Sequence, residues 1–265
     1  MKLVWSAVIT RLLGDKPLSK ILLVTGASRG IGAATARLAA DQGYDVCVNY
    51  ASNGDAAEAV ADYVRSKGQR ALTVQADVGS EADVLRLFQT CDAELGQLTA
   101  FYNNAGVVDV ITRLEEMSEA QVERMMRINI VGSFLCAREA VLRLSTKHGG
   151  PGGAIVNMSS AAARLGGANG LLHYGASKGA IDTFTRGLAE EVGGEGIRVN
   201  AVRPGIIETD IHDDMGVSGR VEKLGPTVPL KRSGAPEEVA EVVMWLLSHS
   251  ASYCTGTIVD VSGGR

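Results

Sequence analysis

Seven short apolar runs rich in β-branched residues recur along the chain: ILLVT (21–25), DVCVNY (45–50), ALTVQ (71–75), LTAFYN (98–103), AIVNM (154–158), IRVNAV (197–202) and TIVDV (257–261). Near-continuous apolar runs of this length read as strands buried on both faces. Between them lie alanine-rich segments with apolar residues at helical spacing, among them GAATARLAADQG (32–43), EADVLRLFQTCDAEL (81–95) and PEEVAEVVMWLLSHS (236–250). Strand and helix alternate throughout, which predicts an α/β fold: a doubly wound parallel sheet, helices on both faces, and ligand sites at the strands' carboxyl ends. The densest breaker cluster, GGPGG (149–153), is expected to end a long helix before the AIVNM strand, because the same alternation continues beyond it.

Composition narrows the partners. The 265 residues, 46% hydrophobic and 21% charged, suit one domain with a substantial core. The formal net charge is -4 and no basic stripe is present, so nucleic acid is not expected and a small molecule is. Cys47, Cys91, Cys136 and Cys254 stand far apart without C-x-x-C spacing, and His148, His173, His212 and His249 show no ligand spacing. No metal is expected, and reduced thiols in a cytoplasmic protein are the simpler account. The leading stretch MKLVWSAVITRLLGDKPLSK has an apolar run that ends at Arg11, far short of the roughly 20 residues that span a bilayer, and no small-residue cleavage site follows. Residues 1–19 therefore read as an arm before a single domain over 20–265. The arm is a short amphipathic helix, a disordered tail or the product of a start assigned too early. Membrane association through residues 3–13 is the weaker alternative, discarded if removing residues 1–19 leaves fractionation unchanged.

TGASRGIG (25–32) follows the first strand and opens the first helix, the setting of a phosphate-binding turn. Gly26 permits the tight turn, Gly30 lets backbone approach a pyrophosphate, and Gly32 lets helix and strand pack closely. The spacing is G-x-x-x-G-x-G, not the usual G-x-G-x-x-G. Ser28, Arg29 and Ile31 share this loop. An NAD-binding chain commonly ends its second strand on an acid that binds the ribose hydroxyls. Here the strand ends Asn49-Tyr50-Ala51-Ser52, with no carboxylate. A 2'-phosphate would meet no fixed negative charge there, and Arg29 could pair with it. NADP(H) is favoured and NAD(H) remains open; Asp55, slightly further on, is either a helix cap or a ribose ligand.

YGASK (174–178) sets Tyr174 one helical turn before Lys178, so phenol and ammonium share a helix face. Taken alone, such a pair is more often a half-buried tyrosine beside a solvated lysine. The other motifs change that. TGASRGIG, Asp77-Val78, NNAG (103–106), Asn129, Ser160, YGASK and PGIIET (204–209), in this order, make residues 20–265 resemble the short-chain dehydrogenase/reductase family, in the branch of glucose-type sugar dehydrogenases and 3-oxoacyl-carrier-protein reductases.

The resemblance implies a single-domain Rossmann-type fold and a set of roles. Asp77, next to Val78, would hold the adenine amino group; Asn103, Ala105 and Gly106 would line the cofactor channel. Pro204, Gly205, Ile207 and Thr209 would cover the nicotinamide, and Tyr50 and Ser52 would stand near the adenosine ribose. Tyr174 would be the general acid in carbonyl reduction and the base in alcohol oxidation, Ser160 would orient the substrate oxygen, Lys178 would bind the nicotinamide ribose, and Asn129 would anchor a water that leads protons to that lysine. A phenol, with a pKa near roughly 10, needs cationic neighbours to exchange protons easily at neutral pH, and Lys178 is one. Ser160 lies fourteen residues before Tyr174, one more than the commoner family spacing, and the extra residue is placed after Gly166.

Substrate contacts are expected from GGANGLLH (166–173), with Asn169 and His173 beside Tyr174, and from a lid between Thr209 and about Pro236. In that lid Asp210, His212, Asp213 and Asp214 read as solvated charges or as a polar pocket for a sugar. Arg124, Arg127, Arg138 and Arg143 could face an acidic carrier protein or make subunit salt bridges. The resemblance implies a homotetramer, with the C-terminal IVDVSGGR (258–265) contributing near a subunit interface. A regulator that keeps the fold without turnover is the alternative; the presence of Asn129, Ser160, Tyr174 and Lys178 favours an enzyme acting on a small carbonyl or alcohol.

Overall fold

The computed structural model describes residues 19–216 and 219–265, and for 212–214 the backbone alone. The arm expected over residues 1–18 lies outside the described residues, as do the side chains of His212, Asp213 and Asp214.

Each apolar run becomes a strand: β1 Lys20–Val24, β2 Tyr44–Tyr50, β3 Ala71–Gln75, β4 Ala100–Asn103, β5 Gly153–Met158, β6 Ile197–Pro204 and β7 Ile258–Val261. They form one fully parallel sheet in the order β3-β2-β1-β4-β5-β6-β7. β1 pairs with β2 on one side (Val24 opposite Val48) and with β4 on the other (Val24 opposite Tyr102). The winding reverses between β1 and β4, so the loops leaving those two strands diverge and open a crevice at their carboxyl ends.

Helices cover both faces: α1 Gly30–Asp41, α2 Gly54–Ser66, α3 Glu81–Glu94, α4 Glu119–Met126, α5 Ser133–Leu144, α6 Ala162–Leu165, α7 Leu172–Val192, α8 Arg220–Leu224 and α9 Pro236–Leu247. The two-residue alternation of side chains along β1 feeds separate cores. Leu22 and Val24 pack with α1 and α9 residues such as Ala36, Val243 and Leu246. Ile21 and Leu23 pack with Leu87, Phe88, Cys136 and Leu144 of α3 and α5. Runs of alanine in α1 keep its inner face thin enough for α9 to lie against it. The edge strands β3 and β7 are only half-buried, unlike the fully buried runs expected, because each has one neighbour in the sheet.

Two local features shape the crevice. α4 runs into α5 through a π-helical turn, Arg127–Gly132, which holds Asn129. After α6, the stretch 166–171 turns through Gly166, Gly167, Asn169 and Gly170, all at positive φ.

Candidate active site

The glycine loop leaves β1 and enters α1 without a side-chain cap and with no acid in the first turn, so its first amides face the crevice. Gly26 has φ 62, and a Cβ on Gly32 would stand 2.5 Å from the Gly26 carbonyl and 2.6 Å from Asn104 Nδ2. Only glycine fits there. Neighbouring strands fasten the loop. Asn104 Nδ2 donates to the carbonyls of Thr25 (2.8 Å) and Gly26 (3.0 Å), the amides of Asn104 and Ala105 donate to Thr25 Oγ1, and Gly26 N donates to Asn49 Oδ1 at 3.1 Å. This bare helix start, a cradle that a Cβ would fill, fits a pyrophosphate.

The crevice is a continuous cleft of about 1310 Å³. Gly26, Ser28, Arg29, Gly30, Ile31 and Gly32 line one part of it, with Ser52, Asp77 and Val78 from the ends of β2 and β3. Ala105, Gly106, Ser160, Tyr174, Lys178, Pro204, Gly205, Ile207 and Thr209 line the rest. Its extent suits a nicotinamide dinucleotide plus a small substrate.

Tyr174 and Lys178 come from the first turns of α7. Tyr174 is half-buried and lines the cleft together with Ser160, whose Oγ accepts from Ala162 N at 3.1 Å. Ser159 turns the other way and donates to Asp182 Oδ1 at 2.6 Å, so Ser160 is the serine that meets the phenol. Lys178 Nζ lies 5.7 Å from the Tyr174 ring centroid and donates to the Met158 carbonyl at 2.9 Å. Burial pulls the Lys178 ammonium down to about 8, with Asp182 opposing. Burial likewise pushes the Tyr174 phenol up, and the Ser160 hydrogen bond opposes it.

Two expected cofactor residues, Asn103 and Tyr50, are placed away from the cleft, and Asn129 stands behind it. Asn103 does not line the cleft: it is 3% exposed and its Nδ2 donates to Ser133 O (2.9 Å) and Asn157 Oδ1 (3.1 Å). The asparagine at the cleft is its neighbour Asn104, because consecutive positions at a strand end point to opposite sides. Tyr50 packs its ring against the core and beside Gly54 instead of lining the cleft. Asn129 is fully buried; its Oδ1 accepts from Val107 N at 2.8 Å and its Nδ2 donates to Val107 O and Ser177 Oγ. It fastens the backbone beyond Gly106 to α7, and a Cβ on Gly106 would stand 3.3 Å from Lys178 Nζ.

Among the remaining expectations, Asn169 lines the cleft, whereas His173 is buried away from it with neither ring nitrogen hydrogen-bonded among the described residues. Asn53, not Asp55, caps α2 by accepting from Ala56 N. Arg138 and Arg143 pair within the chain with Glu81, Glu139 and Asp92, Arg124 lies 3.8 Å from Asp109, and Arg127 donates to Gly79 O. Sequence reasoning missed Asn49, Asn104, Ser177, Arg220 and Arg265. Among the described residues no cluster of His, Cys, Asp and Glu could hold a metal ion, and no helix is long and apolar enough to cross a membrane.

A family model described as enoyl-(acyl carrier protein) reductase matches residues 26–265. The chain is 47% identical over 245 residues to an uncharacterized oxidoreductase, YgfF, of Escherichia coli (strain K12), covering 92% of this chain and 99% of that protein. It is 35% identical over 250 residues to the 3-oxoacyl-(acyl-carrier-protein) reductase FabG of Staphylococcus aureus (strain Mu50), covering 93% and 98%. The crystal structure of a short-chain type dehydrogenase/reductase from Mycobacterium marinum matches with a TM-score of 0.86 at 32% identity, covering 93% of this chain and 96% of that one. A glycine loop at the switch point of a seven-stranded parallel sheet and these likenesses along nearly the whole chain agree: it is an oxidoreductase of the short-chain dehydrogenase/reductase family, which works with a nicotinamide cofactor.

Proposed function

We infer that the chain interconverts a ketone and a secondary alcohol at Tyr174, using NADP(H) in preference to NAD(H), on a free small molecule. The observation that carries this reading is the convergence of the Tyr174 phenol, the Ser160 hydroxyl and the Lys178 ammonium on the same cleft as the glycine loop. A bound nicotinamide supplies or takes up the hydride and, when oxidised, adds a positive charge beside the phenol. In reduction, Tyr174 gives its proton to the carbonyl oxygen while Ser160 hydrogen-bonds the same atom. Lys178, mostly charged at neutral pH with its pKa at about 8, stabilises the phenolate left behind. Asn129 positions the Gly106–Val107 backbone beside that lysine.

The preference for NADP(H) rests on Arg29 lining the cleft and on the lack of a carboxylate between Asn49 and Gly54. A free substrate is favoured over a carrier-tethered one because the arginines that would greet an acidic carrier protein are already engaged within the chain. A cytoplasmic homotetramer completes the reading.

Fluorescence titration with NADPH and NADH, followed by NADPH oxidation against a ketone panel, tests it. Tyr174→Phe is expected to bind NADPH nearly as well as the parent while turnover falls by about two orders of magnitude or more, the loss of a general acid. Undiminished turnover in that variant would refute the assignment, and a preference for NADH would overturn the cofactor reading.

A further inference from the structure

Two arginines line the cleft, and neither side chain forms an ion pair among the described residues. Arg220, at the start of α8, has a buried Nε with no hydrogen-bond partner among the described residues. Arg265 also lines the cleft, and its side chain makes no hydrogen bond or ion pair among the described residues. The two are close enough for the positive charge of Arg265, with burial, to lower the Arg220 pKa. Among the described residues the acids that line the same cleft are Asp77 just after β3, Asp109 near Arg124, and Asp210, and none forms an ion pair with either arginine. Two neighbouring, partly desolvated cations repel one another, and a bound anion is the economical relief.

The backbone of Arg265 reaches α6. Arg164 of α6 donates to the Arg265 carbonyl, and α6 begins two residues after Ser160. The same cleft has an apolar lining: Val108, Leu171 and Met215 cluster with Ile111, Ile211 and the Tyr174 ring. One cleft thus holds the proton donor, an apolar surface and two cations.

We propose that Arg220 and Arg265 form an anion subsite and that the substrate is an oxo acid, or the matching hydroxy acid, whose carbonyl and carboxylate are separated by an apolar body. The proposal rests on the ketone-reductase reading above. The carbonyl oxygen meets Tyr174 and Ser160, the apolar body covers Val108, Leu171 and Met215, and the carboxylate takes the guanidinium forks. Because Arg220 follows the 209–216 segment and Arg265 follows β7, one carboxylate ties those two segments together.

The test uses the full-length protein with NADPH and a series of oxo acids from 4-oxopentanoate to 8-oxononanoate, each beside its methyl ester. Wild type is expected to favour acid over ester by about tenfold or more in kcat/KM, the scale of a charge-assisted pair, and that ratio is expected to collapse towards unity in Arg220→Gln and Arg265→Gln. Calorimetric binding of the acids to the NADP+ complex is expected to be lost in the same variants. Equal use of acid and ester by wild type, or an intact acid preference in both variants, overturns the subsite. A roughly tenfold weakening of NADPH binding in both variants also overturns it, since the arginines would then serve the cofactor's phosphates. If NADPH binds but no ketone is reduced, the reductase reading fails separately, and calorimetry still decides the subsite by whether acid binding depends on the two arginines.

Discussion

Lys178 must carry a charge at a position only 4% exposed to solvent. Burial brings its pKa from an ordinary 10.5 to about 8, so between those values the unfolded chain holds more protons than the folded one. Stability from this group therefore rises with pH through that window, and below it folding bears the full cost of burying the ammonium. Lys178→Met is expected to be more stable than the parent near about pH 6.5 and to lose that advantage near about pH 9.5, read by denaturant unfolding. Lower stability of the variant at the acidic pH would contradict the burial argument. Carbonyl reduction by the parent is expected to decline as pH passes about 8, when the ammonium discharges before the phenol, whose pKa burial raises. A profile flat to well above that pH would exclude Lys178 as the titrating group. Tyr174 and Lys178 were legible because four-residue spacing on a helix is itself geometry. Asn103 and Asn104 were not, since two identical adjacent side chains differ only in the side of the strand they take, which composition does not reveal.

At the scale of elements, that difference becomes a pair of contrasting substitutions. Asn104 fastens the glycine loop through two carbonyls, whereas Asn103 joins β4 to β5 and to the start of α5. Asn104→Ala is expected to weaken NADPH binding by about tenfold, through a loosened loop and two hydrogen bonds lost. Asn103→Ala is expected instead to lower the melting temperature by several degrees, by leaving buried groups unpaired, with NADPH affinity within about twofold of the parent. Titration and thermal unfolding of both variants decide it, and the reverse pattern would show that the cleft assignment is wrong. The strands and long helices were legible from apolar runs and helical spacing. The π-helical turn was not: RINIVG carries no local signal, and the turn's Asn129 is held by Val107 and Ser177, contacts between distant segments.

For the whole molecule, the outer surface bears on assembly. Phe134 of α5 is 48% exposed and stacks on Phe184 of α7 with ring centroids 3.9 Å apart, and Val131 and Leu142 are exposed nearby in sequence. Gly179 and Gly187 leave open space over α7, a surface another helix can approach closely. With the tetramer reading, Phe134→Glu is expected to shift the protein to smaller species in analytical ultracentrifugation, and an unchanged sedimentation profile would remove these helices from the interface. What no single segment could show is the meeting of Arg220 with Arg265, which are far apart in sequence and joined only by the closing of the fold. The helical stretch 119–144 has a consequence for heredity as well as geometry. Its π-helical turn carries a residue more than an α-helix would place there, so an in-frame loss of one codon within 127–132 would make a more regular helix. The same loss would remove the widened turn that presents Asn129 to Val107. A chain shortened there would gain a more regular helix and lose the seat of Asn129, so the number of residues in this stretch matters as much as their identity.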